Sequence, residues 1–200
     1  MDLLIGTGNR GKVREIQEAL NHLPLTLHDL TEYQNISIPF ESGSSYEENA
    51  TIKARHYASN SGLWTLADDS GLEVSALNGA PGVKSARYGG DHASDSDRVD
   101  LLLSRMSDVP MAMRQAIFVC VMVIAEPGGR PLHVAEGRCQ GTLSMSPAGE
   151  SGFGYDPIFV PDGYDQTFGE LPPAIKNKIS HRALALSGIR DFLIHEITQK

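Results

Sequence analysis

The sequence predicts an α/β fold, with a mixed central β-sheet flanked by helices, in a single domain spanning residues 1–200. Three observations carry that expectation. A short apolar segment runs straight into a glycine-rich turn and a helical pattern near the start of the chain. A capped helix follows Ser45. The long β-branched run 116–125 leads through Pro127-Gly128-Gly129-Arg130 into a second strand, which is a hairpin.

Taken in order, residues 3–5 read as a buried strand, and residues 12–21 as the helix after the glycine turn. Residues 25–28 suit a second strand, and 31–44 carry mostly loop signals. Ser45 opens the next helix with a capping-box pattern, its hydroxyl facing the backbone while Glu48 reaches back. That helix passes through Ala50, Lys53 and Tyr57 and stops near Ser61-Gly62. Residues 64–67 form a short apolar strand ending in Asp68-Asp69-Ser70-Gly71. The alternation of Leu72, Val74 and Ala76 then suits a strand with one buried face. Residues 79–90 are loop-rich, and 97–106 helical. After the central strand 116–125, residues 132–135 complete the hairpin. Ser180 caps the last helix, whose apolar face carries Leu186, Ile189, Leu193 and Ile197.

Composition narrows the function. Hydrophobic residues make up 40% and charged residues 21%, ordinary values for a globular chain. The formal net charge of −8 argues against a polynucleotide binder, which needs a broad basic surface. No apolar run approaches a membrane span, and residues 1–11 lack the features of a secretion signal. Cys120 and Cys139 lack metal-type spacing and read as reduced thiols of a cytoplasmic protein. Basic residues fall in clusters instead: Lys12 with Arg14, Lys53 with Arg55, and Lys176, Lys178, His181 and Arg182. A small phosphorylated ligand fits such local pockets.

Gly6-Thr7-Gly8-Asn9-Arg10-Gly11 matches the dinucleotide fingerprint G-x-G-x-x-G, and Asp29 follows the next strand. With Lys12 the same residues match most of a P-loop, except that Val13 stands where a magnesium-binding hydroxyl belongs. Both readings share one physical content. Glycine backbone, free N–H groups at a helix start and a lysine make a phosphate site, although a plain connecting turn fits too.

Asp68 and Asp69 are successive strand residues, so their side chains point to opposite faces and only one serves the site directly. A carboxylate there suits magnesium, which prefers oxygen ligands, and Glu41 is a candidate second ligand. An ordinary Asp-Asp-Ser-Gly turn explains the same residues equally well. Phe153 and Tyr155, on the glycine-rich loop 149–157, either stack on a base or pin the loop to the core. His181 and Arg182 lie in the first turn of the last helix, where the dipole disfavours positive charge, so an anion or electron-rich acceptor is expected nearby.

Together these segments resemble the inosine triphosphate pyrophosphatase family, the deaminated-purine NTP pyrophosphatases. The matching motifs are Thr7-Gly8-Asn9-x-Gly11-Lys12, Glu48-Asn49-Ala50-x-x-Lys53-Ala54 and Ala67-Asp68-Asp69-Ser70-Gly71-Leu72. They continue with Gly79-x-Pro81-Gly82-Val83-x-Ser85-Ala86-Arg87-Tyr88, Gly152-Phe153-Gly154-Tyr155-Asp156-Pro157 and Ile179-Ser180-His181-Arg182. The departures are small: Gly6 stands where alanine is common, and Glu150-Ser151 where Thr-Gly is common.

The resemblance implies a mixed sheet in two lobes with an active-site cleft between them, and a homodimer. It implies magnesium-dependent hydrolysis of ITP, dITP and XTP to the monophosphate and pyrophosphate. Thr7, Gly8, Asn9, Arg10, Gly11, Lys12 and Lys53 would hold the triphosphate. Glu41 and Asp69 would organise Mg2+, with Asp69 also activating water. Ser70 would touch the substrate. Phe153, Gly154, Tyr155, Asp156, Lys176, His181 and Arg182 would line the nucleoside pocket. The competing expectation is a nucleotide-binding module, Rossmann-type or P-loop, using only Gly6 to Lys12.

Overall fold

The computed structural model describes residues 1–199. Six strands form one mixed sheet in the order β2-β1-β3-β4-β5-β6. They are β1 (Asp2–Ile5), β2 (Thr26–Asp29), β3 (Trp64–Val74), β4 (Gln115–Ala125), β5 (Pro131–Leu143) and β6 (Phe159–Pro161). Strand β1 pairs in parallel with both β2 and β3, whereas β5 and β6 are antiparallel. The helices are α1 (Arg10–Leu20), α2 (Tyr46–Ser61), α3 (Asp95–Arg105), α4 (Pro173–Ile179) and α5 (His181–Thr198). The expected mixed sheet with flanking helices is therefore present. No helix among the described residues is long and apolar enough to cross a membrane.

The chain divides into two compact units. The first comprises Met1–Asp69, Cys120–Gly137 and the residues from Arg182; the second comprises Ser70–Val119 and Arg138–His181.

In the first unit, strand alternation sorts the side chains into two layers. Leu3, Ile5, Leu66, Cys120, Met122 and Ile124 pack with Ile16 and Leu20 of α1 and with Leu186, Ile189 and Leu193 of α5. Ala67, Val123 and Ala125 turn the other way and meet Ala50, Ala54 and Ala58 of α2. Alanine on both sides lets α2 lie close to the strands. Truncating a large residue of the first layer, such as Leu66, costs about 2–5 kcal/mol by leaving a cavity.

The second unit has its own core. Leu72, Val74, Phe118, Leu143, Ile158, Phe159 and Phe168 are buried together, with Val99 and Leu102 of α3.

Three expectations need correction. The segment Asp68–Gly71 is not a turn; β3 runs through it unbroken from Trp64 to Val74. Strand β5 extends to Leu143 rather than stopping at 135, because its buried positions there are the small Gly137, Cys139 and Gly141 and give no apolar signal. Ser45 does cap α2 by accepting from the Glu48 amide, but the Glu48 carboxylate reaches the amide and hydroxyl of Ser44 instead. Helix α2 ends at Gly62, whose φ of +71° is the left-handed conformation glycine adopts without cost.

Candidate active site

Parity along β3 sets the geometry. Asp68 shares the face of Leu66, under α1 and α5; Asp69 shares the face of Ala67, under α2. Each therefore meets different cations.

Asp68 is fully buried, and its Oδ2 lies 2.8 Å from Lys12 Nζ and 3.6 Å from an Arg182 terminal nitrogen. Arg182 is itself buried and makes a 2.6 Å bond to Glu15 Oε2 of α1. The Cys120 thiol donates to Asp68 at 3.9 Å. Burial opposes the Asp68 charge, yet Lys12, Arg182 and Lys53 overcome it and hold the carboxyl well below the usual range. Burial likewise opposes the Arg182 charge, and the Asp68 and Glu15 carboxylates more than restore it. Burial beside Asp68 pushes the Cys120 thiol up to about 12, so it stays a thiol. Two cations and two carboxylates leave this network neutral.

Asp69 is buried on the α2 side. Its Oδ1 accepts from Lys53 Nζ at 3.1 Å, and its Oδ2 from Asn49 Nδ2 at 3.3 Å. Lys53 Nζ also lies 2.9 Å from Glu41 Oε1. Positions 49 and 53 lie one helical turn apart, which puts both on one side of α2. Burial raises the Asp69 carboxyl above its ordinary value, against the pull of Lys53 and Lys12. Burial opposes the Lys53 charge, but Asp69, Asp68 and Glu41 hold its pKa above the usual lysine value. Here two carboxylates face one ammonium.

This donor set fits magnesium. No cluster of three potential metal ligands occurs among the described residues. Magnesium, however, keeps waters and substrate oxygens and is held by only one or two carboxylates. Glu41 and Asp69 already converge on one cationic atom, Lys53 Nζ.

The glycine loop leaves β1 beside β3, where the Gly6 amide donates to Leu66 O at 2.7 Å. Asn9 caps α1, its Oδ1 accepting from the amides of Gly11 and Lys12 at 2.9 and 3.1 Å. The Val13 amide bonds Asn9 O, and the Asn9 amide bonds Thr7 Oγ1. The helix start thus offers fewer open N–H groups than the motif suggested, because the loop caps itself. Thr7, Gly11 and Lys12 are half-buried, while Gly8, Asn9 and Arg10 are exposed.

In the second unit, Lys176 Nζ bonds Asp156 Oδ2 at 2.6 Å and lies 4.7 Å from the centre of the Phe153 ring. Asp156 Oδ2 also accepts from the Phe153 amide at 2.8 Å. Gly152 makes this closure possible: its φ is +80°, and a Cβ there would fall 2.0 Å from Asp156 Oδ2. The two aromatic residues of the loop divide their roles. Tyr155 is buried and donates its hydroxyl to Ser85 O at 3.0 Å, so its ring pins the loop rather than stacking on a base. Phe153 stays half-exposed. His181 stacks on Phe118 with centroids 4.6 Å apart and planes 9° apart. Ser70, the first residue of this unit, is half-buried.

The dipole argument anticipated an anion at the start of α5, and one is present, but it is the chain's own Glu15 and Asp68. The terminal nitrogens of Arg182 pair with these two carboxylates, at 2.6 and 3.6 Å. Asn49 appeared in the sequence only as part of the motif Glu48-Asn49-Ala50-x-x-Lys53-Ala54, without a role, and Glu15 and Gly43 were not singled out.

Residues 3–192 match the Ham1 family. The chain is 46% identical over 188 residues to a dITP/XTP pyrophosphatase of Desulfotalea psychrophila, which covers 94% of this chain and 83% of that protein. It is also 46% identical over 201 residues to a dITP/XTP pyrophosphatase of Corynebacterium efficiens, with 94% and 95% covered. A solved HAM1 protein from Coxiella burnetii matches with a TM-score of 0.88 and 40% identity over 98% of this chain and 99% of that one. These likenesses do not favour a Rossmann or P-loop module built on Gly6 to Lys12 alone. The resemblance carried by the sequence motifs extends over nearly the whole length, and this chain belongs to the Ham1 family.

Proposed function

We propose that this protein hydrolyses deaminated purine nucleoside triphosphates, dITP, XTP and ITP, to the monophosphate and pyrophosphate. The names of its full-length relatives support the substrate class. The observation that carries the chemistry is the Lys53 site, where Asp69 and Glu41 converge on one ammonium beside the glycine loop.

Lys53 and Lys12, with the loop Thr7 to Gly11, bind the triphosphate and offset charge on the departing pyrophosphate. Asp69, whose carboxyl burial makes a stronger base than usual, accepts the proton of a water that attacks the α-phosphorus. The bond from that phosphorus to the bridging oxygen breaks, and pyrophosphate leaves. Glu41 and Asp69 would hold Mg2+, which when bound neutralises phosphate charge and lowers the pKa of nearby water. Phe153, Gly154, Asp156, Lys176, His181 and Arg182 line the nucleoside pocket, with Tyr155 pinning the loop through its bond to Ser85 O. Ser70 meets the substrate next to Asp69. A site that satisfies a 6-keto group disfavours adenine, whose amino donor leaves its partners unpaired. The family resemblance supports a cytoplasmic homodimer acting as one catalytic domain.

Phosphorus NMR of the products tests this reading on a panel of ITP, dITP, XTP, ATP and GTP. Pyrophosphate and IMP from ITP, a much slower reaction with ATP and GTP, and silence in EDTA are expected. IDP and orthophosphate as first products would overturn it.

A further inference from the structure

The Asn49 side chain is buried, with 2% of its surface exposed, in a helix whose neighbouring core positions are alanines. A buried amide persists where its polar atoms are satisfied. Both ends of this one are used. Nδ2 donates to Asp69 Oδ2 at 3.3 Å, and Oδ1 accepts from the Gly43 amide at 2.9 Å. These partners fix the orientation of the amide, since a flip would set oxygen against carboxylate and N–H against N–H.

Gly43 lies two residues after Glu41. Asn49 therefore links the strand carrying Asp69 to the segment carrying Glu41. Lys53 links the same two carboxylates on the other side, at 3.1 and 2.9 Å. The result is a ring: Asp69, Asn49, Gly43, Glu41, Lys53 and back to Asp69. The two ties differ physically. The lysine tie is ionic and weakens when a divalent cation competes for the carboxylates. The amide tie keeps its donors and acceptors.

Gly43 supports the same reading from the loop side. A Cβ there would lie 2.7 Å from Asn49 Oδ1 and 2.7 Å from Glu48 Cβ. Only a residue without a side chain brings its amide this close.

We propose that Asn49 is a positioning residue that holds Asp69 and the Glu41 segment at the separation needed to take a divalent cation. This rests on the assignment of Glu41 and Asp69 as metal carboxylates. The consequence is a defect in metal binding that precedes any contact with nucleotide.

The test is Mn2+ binding to the full chain without nucleotide, read by electron paramagnetic resonance, for wild type, Asn49→Leu, Gly43→Ala, the double variant and Asp69→Asn. Asn49→Leu and Gly43→Ala should each weaken binding by about 10–100-fold, as loss of a group orienting a metal ligand does. The double variant should be little worse than Asn49→Leu alone, which already removes the bond to Gly43 together with the bond to Asp69. Turnover should recover as metal is raised, with KM for nucleotide changed less than the metal requirement. If Asn49→Leu fails to fold, Gly43→Ala decides by itself. Wild-type Mn2+ affinity in these variants, alongside loss in Asp69→Asn, would overturn the positioning role and leave the metal assignment standing. Undiminished affinity in Asp69→Asn would remove the metal assignment itself. An additive double variant would show that the two residues do not share one bond.

Discussion

Asp68 and Asp69 are adjacent carboxylates on one strand, and they live under opposite conditions. On the Asp68 side, Lys12, Arg182, Glu15 and Asp68 close a neutral network around a fully buried carboxylate. On the Asp69 side, one lysine faces two carboxylates and Glu41 remains part-exposed. The first sets two cations against two carboxylates, and the second draws two carboxylates onto one lysine. Their proton affinities diverge accordingly: cations depress Asp68, while burial raises Asp69. One residue of sequence therefore separates a carboxylate that holds the fold from one available for chemistry. Period-2 alternation is the cause.

The largest effect should come from Asp69→Asn, which keeps shape and removes the proposed base. Loss of a general base lowers turnover by about 10²–10⁴-fold. The thermal midpoint should stay close to wild type, because Glu41 still pairs with Lys53. Near-normal steady-state kinetics at saturating magnesium would break the contrast.

Asp68→Asn should instead act on stability. It leaves Lys12 and Arg182 short of a counter-charge in the interior, and breaking such a buried network costs about 3–5 kcal/mol. Chemical denaturation measures this directly. Asp68 should also shape the acid limb. Its contribution is complete above the ordinary aspartate value and is lost as pH falls toward its depressed native value. The wild type should lose stability there, and the variant should lose less.

Gly152→Ala tests whether the second unit depends on similar close geometry. The new methyl would overlap the Asp156 carboxylate that holds Lys176 and the Phe153 amide. A cost of about 1–3 kcal/mol is expected from the strained backbone and crowding. KM for nucleotide should rise more than kcat falls, as the steady-state kinetics of the folded variant will show.

The smallest effect belongs to a surface triad remote from both aspartates. His28 lies 2.9 Å from Asp2 and 2.9 Å from Glu32, and those bonds raise its pKa above the ordinary 6.5. A raised histidine stabilises the fold fully below the unfolded value, and the gain disappears as pH rises through the native one. His28→Gln should flatten that slope in denaturation curves and leave turnover unchanged.

Much of this was legible in the residues. The glycine loop, the helix after Ser45 and the strand before Pro127 announce themselves by caps and periodicity, and the opposition of Asp68 to Asp69 follows from strand geometry alone. The Asp-Asp-Ser-Gly segment was misleading because all four types favour turns. Pairing within the sheet overrides that preference and carries β3 through it. The second half of β5 was hidden for the opposite reason, since its inward residues are small. At Arg182 the dipole argument found the right need and left its source open, because Glu15 is 167 residues away in sequence. Asn49 stood in a motif without a role, since a helical asparagine shows its purpose only once its two partners are in place.

In the proposed reaction, the Asp69 face directs water to the α-phosphorus. Hydrolysis of dITP in H₂¹⁸O, with mass spectrometry of both products, tests it most directly. A single ¹⁸O in the deoxynucleoside monophosphate and none in pyrophosphate is the predicted result. Label in the pyrophosphate, with an unlabelled monophosphate, would place the attack on the β-phosphorus and rule out the Asp69-directed step.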